Sequence, residues 1–290
     1  MSVIFLARNP ASFVLYSGPV QDYIDRVIAA DVAAGNNLGL ETAVRDAYSN
    51  FITSCIDNGS LGTSGGVLSQ ANSIIKAAPI MMGARTISGA MVPLVGPTPT
   101  RGGTAGGWVY DRKLGLRGNG TNNFLDTQRA GNADPQNSKH VSCYVTSPAT
   151  GNTTQVFIGD ISSTVEGASL IYKIGALDGG NENIAMMANS PFPAITSAPS
   201  AAFGTGFLGI SRSGANNANG IIYGVTSATT STPSSAPTAS NIAVFARTVT
   251  APARFCNATI NFYSIGTNIN LTLLNASLAT LTAQIAAAIP

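Results

Sequence analysis

The spacing of apolar positions changes character twice along this chain. Between residues 21 and 34, Tyr23, Ile24, Val27 and Ile28 recur at three-to-four spacing, which predicts a helix with Asp22 and Asp25 in its first turn, where carboxylates suit the helix dipole. Gly35-Asn36-Asn37 stops it. A second helix is predicted over residues 40–57, with Ala43, Val44, Ala47, Tyr48, Phe51, Ile52 and Cys55 on one face and Asn58-Gly59 as its end. The short link makes the two an αα-hairpin. A third helical segment is predicted over residues 67–78, ended by Pro79. Ahead of these, residues 2–20 read as an extended arm, in which Val3-Ile4-Phe5-Leu6 and Phe13-Val14-Leu15-Tyr16 are strand-like and Asn9-Pro10 and Gly18-Pro19 are breakers.

From Trp108 to about Ile265 the period is two and the apolar runs are short. Strands are predicted at 108–110, 114–117, 123–126, 139–146, 154–159, 168–175, 183–187, 206–211, 220–225, 241–248 and 258–265. Turns at 177–181 and 213–220 separate them, and the Ser/Thr/Pro/Ala stretch 226–240 reads as an exposed loop. Many short strands at this spacing predict an antiparallel sandwich. Helical spacing returns at residues 271–289, where Leu271, Leu274, Leu278, Leu281, Ile285 and Ile289 form a stripe without a single charge. Left exposed, that stripe would be a solubility liability, so it is expected to pack on the N-terminal helices or on another subunit.

The most punctuated stretch is 109–140, where short apolar bursts alternate with Gly and Asn. It holds Arg112, Lys113, Arg117, Arg129 and Lys139 beside Asp111, Asp126 and Asp134. Of these, Arg112, Arg117 and Arg129 with Asp111, Asp126 and Asp134 are expected to tie long loops or a subunit interface together. Elsewhere charge is sparse, at 10% of residues against about 25% in an average soluble domain. A net charge of +2 with no basic cluster predicts no nucleic-acid partner. No run reaches the roughly 18 apolar residues of a membrane span. The opening Met1–Ala7 lacks a basic leader and is followed by Arg8-Asn9-Pro10, so it does not read as a secretory signal.

Candidate chemistry is thin. Cys55, Cys143 and Cys256 are far apart and read as free, buried thiols rather than a zinc site. The 13 acids show no alternating pair of the kind a glycosidase needs; Asp160/Glu166 and Asp178/Glu182 are spaced for turns. His140 is the only histidine, no Gly-x-Ser-x-Gly elbow accompanies it, and it is expected to be a hydrogen-bonded strand residue. Asp178-Gly-Gly-Asn-Glu-Asn183 offers oxygens to calcium, but its composition is equally that of a hairpin turn, which is the preferred reading. Gly115–Gly120 lacks the Lys-Ser/Thr of a phosphate loop, and Asn119-Gly120 reads as a hairpin turn. Trp108, Tyr110, Phe124 and Tyr144 present rings that a sugar would stack on, yet core packing is their expected fate. No catalytic, cofactor-binding or metal-binding residue is assigned.

The segments Ile75-Lys-Ala-Ala78, Gly83-Ala-Arg-Thr86, Gly89-Ala-Met-Val-Pro-Leu94, Tyr110-Asp-Arg-Lys-Leu-Gly115, Leu116-Arg-Gly-Asn-Gly-Thr121, Leu125-Asp126, Asn132-Ala-Asp-Pro-Gln-Asn137 and Phe262-Tyr-Ser-Ile-Gly266 resemble a group of tailed-phage virion proteins with a concanavalin A-like (lectin/glucanase-type) jelly-roll domain. The resemblance covers roughly residues 75–285 and leaves the first seventy unexplained. It implies a mainly β, jelly-roll sandwich, placed at 91–267; the apolar spacing puts an N-terminal arm and helical assembly region at 1–90 before it and an amphipathic helix at 268–290 after it. It also implies a non-enzymatic structural protein, assembled in the host cytoplasm and exposed on the virion as a head decoration, fibre or tail appendage. Its expected partners are its own copies, most simply as a homotrimer, and capsid or tail proteins. A host surface glycan is the alternative partner, and no cofactor is expected. Removing residues 1–60 is expected to abolish assembly or particle attachment while leaving a folded β-body.

Overall fold

The computed structural model describes residues 16–151, 153–160, 167–174, 183–191, 193–196, 204–248 and 251–290. The fold is mainly β. Antiparallel sheets form a sandwich, with two helices at the N-terminal side and one at the C-terminal side.

Helix α1 is Gly18–Ala33 and α2 is Thr42–Asp57. The first starts three residues before its expected position because Pro19 sits in its first turn, where a missing N–H costs nothing. Gly18-Pro19 therefore opens the helix instead of breaking the chain. Asp22 and Asp25 fall beyond the first turn, where Asp22 pairs with Arg26 at 2.9 Å and Asp25 accepts from Gln21 at 2.8 Å. A one-turn helix, α3, covers Ile87–Ala90, and α4 covers Leu271–Ala288. Asn270 caps α4 by accepting from the amides of Thr272 and Leu273. The buried side of α4 is the predicted stripe Leu271, Leu274, Leu278, Leu281 and Ile285.

The helix expected at 67–78 is not formed. Gly62–Ser64 and Val67–Ser69 make a hairpin around Gly65 and Gly66, whose φ of +60° and +83° suit a two-residue turn. Ile75–Pro79 is a strand that lies against Thr259–Gly266, with Ala77 opposite Ile265. Its two faces are both buried, Ile75 towards the helices and Ala77 between the sheets. A strand covered on both faces has no polar alternation, so its short apolar run looks helical in sequence.

One sheet runs in the order Val225–Thr230, Asn217–Ile222, Gly206–Gly214, Lys139–Ser147, Thr259–Gly266, Ile75–Pro79, Pro93–Val95. The other runs Ile195–Thr196, Asn183–Ser190, Ala168–Ile174, Gln155–Asp160, Asn241–Val244, Phe124–Ala130, Thr100–Gly102. Neighbours along both paths are antiparallel, and only the short Arg247–Thr248 joins Gln155–Asp160 in the parallel sense among the described residues. Val141, Cys143, Val145, Leu208, Ile210, Ile260 and Ile265 meet Phe157, Ile171, Ile184, Met186, Ile242 and Val244 between the sheets.

The outer face of the first sheet carries the helices. Phe51 of α2 stands edge-on to Phe262 with ring centroids 5.6 Å apart, and Tyr23, Tyr48, Leu274, Leu278, Phe207 and Ile80 complete the same core. Helices and sheet thus share one hydrophobic layer, so removing residues 1–60 would strip one side of the core from the β-body, against the expectation above. The C-terminal helix packs on the N-terminal ones, with Ser54 and Ser277 hydroxyls 2.8 Å apart and Asn50 donating to Gln284. At mean hydropathy 1.4 over 18 residues, α4 is also long and apolar enough to cross a membrane by length and composition. Thr, Asn, Ser and Gln interrupt its apolar residues, which is why counting runs misses it.

The stretch 226–240 is not the exposed loop its composition suggests. Val225–Thr230 is a strand at the sheet edge, paired with Asn217–Ile222, which itself resumes before the expected end of the 213–220 turn. Beyond it the chain crosses one end of the sandwich. Ser234 N donates to Ala215 O at 2.7 Å, Ser235 N to Asn189 O at 2.7 Å, and Gly131 N to Ser240 O at 2.8 Å. Small residues suit such a strap because they let the backbone approach the loops it crosses closely enough for these bonds.

Candidate functional site

His140 sits in the strand Lys139–Ser147 and is fully buried. Its Nδ1 lies 2.6 Å from Thr267 O and its Nε2 lies 2.9 Å from the Ser264 hydroxyl, which in turn is 2.7 Å from the Ser142 hydroxyl. Burial pushes the imidazole down to about 4, so the ring is neutral at pH 7. A neutral ring facing a carbonyl donates from Nδ1 and accepts at Nε2, which makes Ser264 the donor to His140. This is a satisfied structural chain: a carbonyl takes the place a triad carboxylate would need, and Ser264 is itself buried.

The charged stretch around residues 109–140 divides between two places. Arg129 pairs with Asp134 at 2.5 Å, as expected, with both side chains largely buried. Arg112 does not join that group. It makes two bonds to Glu41 ahead of α2, at 3.0 and 2.6 Å, and donates to the carbonyls of Gly83 and Ala84. Arg85 reaches Glu41 at 2.8 Å, and the hydrogen bond from Arg112 holds the Glu41 carboxyl below its ordinary value. Beside it, buried Asp31 accepts from the amides of Arg85 and Thr86 and from the Thr86 hydroxyl. Tyr48 and Tyr110 donate to the carbonyls of Met82 and Ala84. Segment 82–86 is therefore clamped between the helices and the hairpin Val109–Asp111/Gly115–Arg117. The other charges serve turns: Asp111 accepts from the amides of Lys113 and Leu114, Asp126 from Gln128 and Asn241, and Arg117 donates to Asn257 O.

At the strapped end of the sandwich the structure brings together three charges that are far apart in sequence. Lys139, Asp160 and Arg212 are all fully buried. Lys139 donates to Gly131 O. Asp160 accepts from Ser169 N at 3.0 Å and from the Thr238 hydroxyl at 2.5 Å. Burial lowers the affinity of Lys139 for its proton and raises that of Asp160, and the attraction between the two opposes both effects. Arg212 donates from Nε to Ala188 O at 2.6 Å and from its terminal nitrogens to Gly214 O, Ala215 O and Thr232 O. The signal was strand parity. Lys139 shares a face with Val141, Cys143 and Val145, and Arg212 shares one with Leu208 and Ile210, all of which point between the sheets.

The remaining candidates stay structural. The three cysteines are free and buried, and burial pushes Cys55 and Cys256 up to about 12. Trp108 stands edge-on to Phe245 at 5.6 Å, and Phe124 lies so close over Gly102 that an added Cβ would meet its ring at 2.2 Å. Tyr144 packs against the helix-side core. Asn119 Oδ1 accepts from the amides of Thr121, Asn122 and Asn123. This turn is not the expected hairpin, because the strands on its two sides, Gly115–Arg117 and Phe124–Ala130, belong to different sheets. Most of the Asp178–Asn183 loop and Glu166 lie outside the described residues. Among the described residues no three His, Cys, Asp or Glu side chains converge as metal ligands.

Two surface features remain. A cavity of about 400 Å³ opens beside the start of α4, lined by Ser213, Asn219, Thr229, Asn268 and Asn270. Its walls carry amides and hydroxyls beside the apolar Ile221, Ile269 and Leu271, and no charge, which is chemistry suited to a neutral hydroxylated ligand. The second is a groove along α2 and α4, made of adjoining cavities of about 570 and 190 Å³ that share Asn50, Ser54, Ala276 and Ser277. Leu273 at its end is 45% exposed.

No protein-family model matches the chain, and no curated protein sequence matches it. Among solved structures it is similar to the binding domain of botulinum neurotoxin serotype D, at 9% identity and a TM-score of 0.47, covering 70% of this chain and 50% of that one. It is similar to a full-length tailspike protein of Escherichia coli O157:H7 bacteriophage CAB120, at 12% identity and a TM-score of 0.42, covering 60% and 26%. Domain 4 of an extracellular arabinanase from Geobacillus stearothermophilus, in complex with arabinotriose, is a third, at 16% identity and a TM-score of 0.40, covering 63% and 82%. The chain thus spans half the length of the toxin domain and about a quarter of the tailspike.

Proposed function

We propose that this chain is a non-enzymatic structural component of a bacteriophage particle, acting by association with its own copies, as a trimer, and with capsid or tail proteins. The observation that carries the reading is the outer surface of α4. This 18-residue helix has no charged side chain, buries one stripe in the fold and turns Leu273, Ala276, Ala279, Thr280 and Ala283 outward. An uncharged, small-residue helix surface is cheap to desolvate and allows close approach, which suits a protein that works by assembly. The resemblance of residues 75–285 to phage virion proteins supplies the setting. Quantitative mass spectrometry of purified particles tests it: copies in multiples of three support the reading, and absence from particles overturns it.

A second reading is a carbohydrate-binding module for a host surface glycan. The uncharged cavity lined by Asn219, Asn268 and Asn270 favours it. Saturable binding on a glycan array, lost in Asn219→Leu, would support this reading; no binding to any glycan would remove it.

A further inference from the structure

We infer that Arg247, Arg254 and Tyr172 form a binding site for an oxyanion, a sulfate or carboxylate group, on the second sheet. This is independent of the particle reading, and the site lies on the opposite sheet from the uncharged cavity beside α4. Backbone pairing brings the three residues together. Arg247–Thr248 pairs with Pro252–Ala253, and Arg247 stands opposite Ala253, so Arg254 follows directly on its partner. Arg254 O accepts from Val156 N at 2.9 Å, and Val156 stands opposite Tyr172 on the neighbouring strand. Val156 and Tyr172 share a small apolar cluster with Leu170 and Met187, separate from the core between the sheets. Arg247 and Tyr172 are half-buried, and Arg254 is exposed.

What the two guanidiniums lack is an anion. Arg26, Arg85, Arg112 and Arg129 each reach a carboxylate. Among the described residues, the guanidiniums of Arg247 and Arg254 make neither an ion pair nor a hydrogen bond. The Nε of Arg247 is closed off from solvent with no acceptor, a costly state for a charged donor. Burial, and then the like charge of Arg254, weakens the hold of Arg247 on its proton, and Tyr172 opposes both. Arg254 also holds a φ of +57°, a region that a residue with a side chain occupies only where its surroundings impose it. An oxyanion answers each of these features. Its oxygens accept the forked N–H groups, Nε among them, its charge offsets the repulsion between the arginines, and the phenol of Tyr172 supplies a further donor. A neutral ligand would leave the repulsion in place.

The test uses the full chain at neutral pH. Calorimetric titration with sodium sulfate, against sodium chloride at equal ionic strength, is expected to show saturable binding of sulfate alone. Arg247→Gln and, separately, Arg254→Gln are each expected to weaken it at least tenfold. Arg101→Gln removes the same charge from the exposed part of the edge strand Thr100–Gly102 and is expected to leave it unchanged. Dextran sulfate separates the two sources of such a group. If it displaces sulfate ion, the site takes an anionic polymer; if it does not, the site takes a free anion. Absence of sulfate binding, displacement of sulfate by neutral dextran, or equal weakening by Arg101→Gln and Arg247→Gln would each overturn the site. If Arg247→Gln fails to fold, the variant at the exposed Arg254 decides alone.

Discussion

Single residues in this protein spend their polarity inward. His140 shows the cost. An unfolded imidazole titrates near 6.5, and burial holds the folded one at about 4. The unfolded chain therefore takes up the proton first on acidification. Stability from this residue is complete above about pH 6.5 and declines as pH falls towards about 4, by ~3 kcal/mol in all. His140→Asn keeps a donor for Thr267 O and has nothing to titrate. Its urea midpoint, measured at pH 8, 6 and 4.5, should fall less steeply than that of the unaltered protein; an identical slope would rule out His140 as the source. The Arg129–Asp134 pair is the second case. Asp134→Ala leaves a largely buried guanidinium without its carboxylate, which costs about 3 kcal/mol. Chemical denaturation should show that loss, and a change under about 1 kcal/mol would mean that Arg129 is hydrated after all.

Among the elements, legibility in sequence followed how many faces each one buries. Helices α1, α2 and α4 bury one stripe, so their apolar spacing matches the buried residues closely, down to Leu271, Leu274, Leu278, Leu281 and Ile285, with Ala43 of α2 exposed instead. The strand Lys139–Ser147 is buried on both faces over most of its length, yet it was legible because one face is apolar (Val141, Cys143, Val145) and the other polar or amphipathic (His140, Ser142, Tyr144). Ile75–Pro79 buries both faces and read as helix. The strap beyond Thr230 read as loop because its structure comes from partners far away in sequence, Asn189 and Gly131 among them. The same holds for the buried charges. Glu41 finds Arg112 across 71 residues, a pairing no local pattern contains. Lys139 and Arg212 were visible by parity, had the rule that inward positions are apolar not been applied without exception. The energetic weight of the helical layer is testable at Leu278, which is fully buried between α4 and the sheet. Leu278→Ala should destabilise by about 3 kcal/mol, as large-to-small changes in such a layer do. A calorimetric shift of less than a degree would mean that α4 is not part of the cooperative core.

For the molecule as a whole, three layers behave as one body: helices, the sheet they cover, and the second sheet. Phe51 against Phe262 and Glu41 against Arg112 cross the junction with apolar and ionic contacts alike. Deleting residues 1–60 should therefore uncover Phe262, Ile80 and Ala78 and yield aggregated material, read out by light scattering; a monodisperse truncated protein would show that the layers are separable. The most direct measurement is gold-labelled antibody imaging of intact phage particles. The account predicts label at regular positions on the particle, dense over the head for a decoration protein or grouped at the tail for an appendage. Particles that carry no label, from a host in which the protein is made, would contradict it.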